Sequence, residues 1–214
     1  MMRETTVFGP IFSRRLGSSL GINLLPQGGK VCNFDCIYCE CGWNADGRGD
    51  RVLPTAEDVR KALTEKLVAC HEAGTPIDSI TFSGDGEPTL NPDFPEIVDL
   101  TLELRDKYYP AAKVSVLSNA TKTWRKGVFE ALRKVDNPIL KLDAATDAQA
   151  RLVNQPLGDY HVEDIVRRLK PREVMVYTID RETPMKGLRK YTVEEMRALV
   201  QPLIDEGYKL QIKG

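Results

Sequence analysis

The chain has 214 residues, 42% of them hydrophobic and 29% charged, which suits one globular domain (1–214) with a sizeable core. Its 30 Lys and Arg nearly balance 31 Asp and Glu, for a net charge of −1, so broad nucleic-acid binding finds no support in the bulk charge, although a local basic patch stays compatible with it. No apolar run approaches a membrane span, and the first residues, Met1 to Thr6, lack the apolar core of a signal peptide, so the expectation is a cytoplasmic protein with no membrane contact.

Short β-like runs alternate with amphipathic helices, the pattern of parallel β/α units. The first predicted strand is Leu20–Leu25, and a cysteine-rich loop follows it directly. Pro54 and Thr55 open a helix with Asp58 at the capping-box position and a Val59, Leu63, Leu67, Cys70 stripe. The second strand is Ser79–Ser83, followed by Gly84-Asp85-Gly86-Glu87-Pro88 and a helix over about 94–108. The third strand is Lys113–Leu117, ending at Ser118-Asn119, and Trp124, Val128, Leu132 and Val135 make the next helical stripe. The fourth strand is Ile139–Asp143. Then come a short helix over about 147–153 and another carrying Val162, Ile165, Val166 and Leu169. Strand five is Glu173–Thr178. A helix over about 192–206 should break or kink at Pro202, and Tyr208–Lys213 is the sixth run.

Strands covered by helices on both faces should be apolar throughout, but these alternate. Ser79, Thr81 and Ser83 share one face, as do Lys141 and Asp143, and Lys209, Gln211 and Lys213. A polar lumen in an incompletely closed barrel explains this better than a flavodoxin-like open sheet. In a β/α barrel the loops after the strands build the site. The unusual polar groups fall at those positions: the cysteine loop, Gly84 to Glu87, Ser118-Asn119, Asp143, and Thr178-Ile179-Asp180.

The cysteine loop reads Cys32-Asn33-Phe34-Asp35-Cys36-Ile37-Tyr38-Cys39. Its C-x3-C-x2-C spacing gathers three thiols on one short loop. A structural zinc site or a ferredoxin cluster normally takes four ligands. Three would leave one position of a [4Fe-4S] cube open, as catalytic metal sites require. With five cysteines in all, four of them between 32 and 41, no disulfide framework is indicated and a reducing compartment fits.

C-x3-C-x-aromatic-C resembles the signature of the radical S-adenosylmethionine (SAM) superfamily. The resemblance implies a partial (β/α)6 TIM-like barrel, a [4Fe-4S] cluster on Cys32, Cys36 and Cys39, and SAM on the fourth iron. It further implies reductive cleavage of SAM to methionine and a 5′-deoxyadenosyl radical that abstracts hydrogen, with an electron donor such as flavodoxin or ferredoxin. Ser83 to Pro88 resembles the family's Gly-Gly-Glu motif for the SAM amino group. Asp85 lies between the glycines, so either Asp85 or Glu87 could face the ligand; the same run is also ordinary turn chemistry. By the same resemblance Tyr38 lies beside the adenine, Ser118 and Asn119 reach the ribose, and Lys141 and Asp143 contact the SAM carboxylate and the ribose or substrate. Ser118 and Asn119 could equally cap the next turn, and Lys141 and Asp143 could simply pair. Cys41 reads as a small buried residue, Cys70 as core, and His71 and His161 as bystanders.

Phe8 to Gly21, Ser83 to Leu90, Asp143-Ala144-Ala145-Thr146 and Val176 to Arg181 further resemble short bacterial radical SAM proteins related to the tRNA wyosine-base synthase. That synthase carries a second cluster on additional cysteines, and only Cys41 and Cys70 remain here, so the kinship implies a scaffold more than a substrate. Arg14 and Arg15 could hold an anionic substrate group or equally form a solvated basic pair, and Tyr177 is a further candidate for binding substrate. The substrate is left open between RNA, a small metabolite and a protein partner of the glycyl-radical type. A non-catalytic metal-binding module is the alternative outside this class.

Overall fold

The computed structural model describes residues 3–46, 51–144, 146–168, 173–179 and 183–213, with the backbone alone for 166–168. Ala145, Leu169, Asp180 and Arg181, and the side chain of Val166, lie outside them. The chain opens with an antiparallel hairpin, β1 (Val7–Ser13) and β2 (Gly17–Ile22). There follow α1 (Ala56–Glu72), β3 (Ser79–Phe82), α2 (Phe94–Tyr108), β4 (Lys113–Ser118), α3 (Lys126–Lys134) and β5 (Asn137–Leu140). The rest is α4 (Asp147–Val153), α5 (Val162–Arg168), β6 (Val174–Tyr177), α6 (Val193–Leu199), α7 (Gln201–Asp205) and β7 (Leu210–Lys213). One sheet runs β1-β2-β3-β4-β5 and a second pairs β6 with β7. The six strands β2 to β7 make only parallel pairs among themselves, giving the mixed α/β architecture of a partial, TIM-like (β/α)6 barrel. Among the described residues no ladder joins β5 to β6.

Several expectations need correction. β1 was not foreseen, because Gly9-Pro10 interrupts its alternation; the sheet tolerates that Pro at its edge. The first parallel strand starts and ends three residues early, at Gly17–Ile22. Strand four ends at Leu140, so Lys141 and Asp143 lie on the loop after it. Trp124 precedes α3 and is 60% exposed, so it is not part of that helix's buried stripe. Pro202 does break its helix, into α6 and α7 around Val200. Thr55 with Asp58, and Thr192 with Glu195, form the expected capping boxes.

The two faces of the main sheet divide as the alternation implied. Leu20, Ile22, Ile80, Phe82, Val114 and Val116 are fully buried in one core with the apolar stripes of α1, α2 and α3. The opposite face carries small polar groups that satisfy one another. Ser19 and Thr81 hydroxyls lie 2.7 Å apart, Ser79 reaches Ser115 at 2.9 Å and Asn137 Nδ2 donates to Ser115 Oγ at 3.1 Å. Buried hydroxyls paired in this way escape the penalty of an orphaned polar group. Among the described residues no helix is long and apolar enough to cross a membrane.

Candidate cofactor site

The site gathers on the loops after the carboxyl ends of β2, β3, β4 and β5. The cysteine loop leaves β2 and is braced from both sides. Towards β3, Val31 N–H donates to the Asp85 carbonyl at 2.9 Å and Glu87 N–H to the Val31 carbonyl at 3.1 Å. Towards α4, Asp35 N–H donates to the Asn154 carbonyl at 2.9 Å and Ile37 N–H to the Val153 carbonyl at 3.0 Å. Phe34 is buried edge-on against Tyr160 at 5.1 Å. A polar knot closes the loop on itself. Lys30 Nζ meets Asp35 Oδ1 and the Gly42 carbonyl, both at 2.9 Å. Asp35 Oδ1 also accepts from Asn44 N–H at 2.8 Å, and Asn44 Oδ1 accepts from Cys32 N–H at 3.0 Å.

Two of the three thiols in the motif have an N–H donor beside them. Phe34 N–H points at Cys32 Sγ at 3.4 Å, with Asn119 Nδ2 at 3.8 Å, and Asn154 Nδ2 reaches Cys36 Sγ at 3.3 Å. The neighbouring Cys41, and then the Lys30 charge, outweigh burial and draw the Cys39 thiol below its ordinary pKa. Burial pushes Cys32 up to about 12 and raises Cys36 as well. Cys41 is half-buried rather than buried, and its sulfur points at the Gly84 carbonyl (3.5 Å) and Asp85 Oδ1 (3.9 Å). Cys70 is in the core of α1, as expected.

The run after β3 needs both its glycines. A Cβ on Gly84 would stand 2.1 Å from Asn23 Oδ1. One on Gly86, at φ +141°, would stand 1.9 Å from the Val31 carbonyl oxygen. The two carboxylates here have different surroundings. Glu87 turns inward: Oε1 accepts from Thr89 N–H, Thr89 Oγ1 and Ser118 Oγ at 3.1, 2.5 and 2.8 Å, and Oε2 from Asn119 N–H at 2.7 Å. Asp85 accepts from Arg3 N–H at 2.7 Å and faces Cys41. Burial raises both carboxyls above their ordinary values. Ser118 is thereby tied to Glu87, while the Asn119 side chain bonds to Asn33 and Thr121 at 2.8 and 2.7 Å. Asn23, next to this run, is 1% exposed, and its Nδ2 has no hydrogen-bond partner among the described residues.

After β5, Lys141 and Asp143 meet at Tyr38. The phenol donates to Asp143 Oδ2, and Lys141 Nζ lies 3.0 Å from the phenol oxygen and 4.3 Å above the ring. Lys141 and Asp143 pair at 3.9 Å, and Asn154 Nδ2 joins at 2.7 Å from Asp143 Oδ2. Burial, and then the Asp143 charge, push the phenol's pKa up, so Tyr38 stays protonated. Arg14 and Arg15 lie in the turn of the β1–β2 hairpin. The Arg15 guanidinium stacks 4.4 Å from the Tyr177 ring, with Nη1 3.5 Å from Met175 Sδ. His161 pairs with Asp147 at the surface at 2.7 Å, and His71 packs against Tyr108 and Tyr109.

The motifs did not reveal Lys30, Asn44, Asn154 or Asn23. Lys30 stands two residues before Cys32 and Asp35 inside the loop, but nothing in their spacing says that they bond. Asn154 comes from 115 residues beyond the last motif cysteine, counting from Cys39, and only the tertiary fold brings it back.

A family model matches residues 27–201, described as the radical SAM superfamily. The chain belongs to the radical SAM superfamily. It is 32% identical over 194 residues to a UPF0026 protein of Methanocaldococcus jannaschii, covering 90% of this chain and 57% of that one. The chain spans about half the length of the curated relatives it matches. Among solved structures, one of TYW1 with a lysine-pyruvate adduct bound superposes with a TM-score of 0.58 at 16% identity, covering 91% of this chain and 76% of that one. A radical SAM methyltransferase from Sphaerobacter thermophilus gives 0.57 at 14% identity over 91% and 65%. At such identities these two structures speak for the fold.

Proposed function

We propose that this chain is a radical SAM enzyme of one domain (1–214) with a single [4Fe-4S] cluster on Cys32, Cys36 and Cys39. The observation that carries the proposal is the braced cysteine loop at the carboxyl edge of the sheet, with N–H donors at the Cys32 and Cys36 sulfurs. N–H donors aimed at sulfur favour thiolate, the form that binds iron. Among the described residues no group of three or more His, Cys, Asp or Glu is gathered as a single ion would need. A cube spreads its ligands over different irons and does not ask for that.

When bound, the reduced cluster would supply the electron and SAM the sulfonium it cleaves, giving methionine and a 5′-deoxyadenosyl radical for hydrogen abstraction. The chain's own residues would bind and orient. The Gly84 carbonyl and Asp85 carboxylate are acceptors suited to an ammonium, whereas Glu87 is spent on Thr89, Ser118 and Asn119 and holds the run in place. Gly86 admits the close approach of the cysteine loop. The unpartnered Asn23 amide beside Gly84 is a donor for a ligand acceptor. Tyr38 offers its ring to the adenine, positioned by Lys141 and Asp143. Ser118 and Asn119 support the ribose side chiefly by shaping the loop, since their polar atoms already have protein partners.

The substrate would enter from the side lined by Tyr177. Arg15, stacked there without a carboxylate partner among the described residues, suits an anionic substrate group, and Arg14 shares its turn. The substrate remains an RNA base or a small metabolite in this proposal, the electron donor a flavodoxin or ferredoxin, and the location the cytoplasm.

The test is anaerobic reconstitution with iron and sulfide, followed by dithionite and SAM. Formation of 5′-deoxyadenosine supports the reading. A spectroscopically verified cluster that gives none contradicts it, and about one zinc with no sulfide points to a metal-binding module instead.

A further inference from the structure

We propose that Lys30 is a fixed positive charge that preforms the cysteine loop and shifts its cluster toward the reduced state. The inference rests on the reading of Cys32, Cys36 and Cys39 as cluster ligands. Lysine is almost never fully buried unless paired, yet the Lys30 side chain is 1% exposed. Its ammonium has three N–H donors. One meets Asp35 Oδ1 and one the Gly42 carbonyl, both at 2.9 Å, so the side chain spans the loop from its entry to the residue three past Cys39. Gly42 N–H in turn donates to the Cys39 carbonyl at 3.0 Å, and Asp35 lies beside Cys36 in sequence. The ammonium is therefore enclosed by the same turns that present the three sulfurs.

A buried ion pair is weak evidence for stability by itself, because desolvation offsets much of the attraction. The asymmetry of this pair is informative. The lysine end is 1% exposed and the aspartate end 18%, so the ammonium is the more deeply enclosed of the two charges. Lys30's own contribution to the field on the loop is positive. An electron added to a cluster there makes it more negative, and a nearby buried cation stabilises that form. An apolar side chain of similar length would fill the space without this effect. Lys30 touches no reacting atom, so it is a positioning residue that also sets a potential.

The test is a potentiometric titration of the reconstituted cluster, followed by electron paramagnetic resonance, in wild type, Lys30→Met and Asp35→Asn. Iron and sulfide are counted in each. Lys30→Met is expected to lower the reduced-to-oxidised ratio about tenfold at a fixed potential, equivalent to about 59 mV for one electron. Asp35→Asn removes the opposing charge and should move the ratio the other way. A role confined to shaping the loop would move neither potential, or both in the same direction, and that outcome overturns the proposal. If Lys30→Met takes up no cluster, Asp35→Asn decides: a raised potential supports the proposal, and an unchanged or lowered one overturns it. A wild-type chain that holds no [4Fe-4S] cube sinks the site reading and this inference together, whereas a loaded wild type with unmoved variants sinks this inference alone.

Discussion

Glu87 offers the sharpest test of how the site is held. It is fully enclosed, and its carboxylate accepts four hydrogen bonds from Thr89, Ser118 and Asn119. Two of the donors are backbone N–H groups that cannot turn away; the other two are hydroxyls that can. Glu87→Ala leaves the two amides unsatisfied, at about 1–3 kcal/mol each. It also removes the carboxylate's own burial penalty, the effect that raises its pKa, so the net loss is expected at about 3 kcal/mol. Glu87→Gln keeps an acceptor for the three donors at Oε1 but sets an NH2 against Asn119 N–H, for a loss of about 2 kcal/mol. Urea unfolding of the metal-free protein at pH 7 measures both, without any contribution from a cofactor. If Glu87→Ala lies within about 1 kcal/mol of wild type, Glu87 is not the strut described and its carboxylate is free to face a ligand.

Gly86→Ala should lose at least about 3 kcal/mol and abolish iron uptake, because the new Cβ meets the Val31 carbonyl at 1.9 Å and pushes the cysteine loop from β3; calorimetry with iron analysis checks both. Cys32→Ala, Cys36→Ala and Cys39→Ala should each lose the cluster's visible absorbance, while Cys41→Ala and Cys70→Ala retain it; retention in any of the first three breaks the ligand assignment. Asp136 gives a pH dependence. Burial pushes its carboxyl up, but bonds from Val114 N–H and Arg105 at 2.9 Å outweigh this and hold the pKa below the ordinary value. A depressed pKa adds stability that is full above the unfolded value of about 3.9 and fades as pH falls toward the folded one. Asp136→Asn should therefore cost about 1 kcal/mol at pH 7, after discounting for solvent, with the gap to wild type closing as pH drops below about 4.

The parts of this protein legible in its sequence are those written in local periodicity. The stripes of α1 and α2, the alternation of β3 and both capping boxes need only neighbours within a few residues. The cysteine loop was legible because three identical reactive groups at fixed spacing have few other uses. The path of β1 was hidden, since Gly9-Pro10 breaks the alternation and the strand exists only by pairing with β2. The inward turn of Glu87 was hidden too. Spacing put Asp85 and Glu87 in the same short run, and only the approach of β4 with Ser118 and Asn119 determines which carboxylate is consumed. Asn154 and Lys30 act through contacts across a folded loop, where sequence distance carries no information. Lys141 and Asp143 were found as residues but assigned to a strand that stops at Leu140, because apolar and polar residues keep alternating beyond the last ladder bond.

One measurement bears most directly on the central claim, that three thiols of one loop hold an iron–sulfur cube with a position left for SAM. Anaerobically reconstituted protein should contain about four iron and four sulfide per chain, as a cube demands. Its reduced spectrum in electron paramagnetic resonance should change when SAM is added. Full loading with a spectrum indifferent to SAM, or loading that survives loss of Cys32, Cys36 or Cys39, would contradict the account.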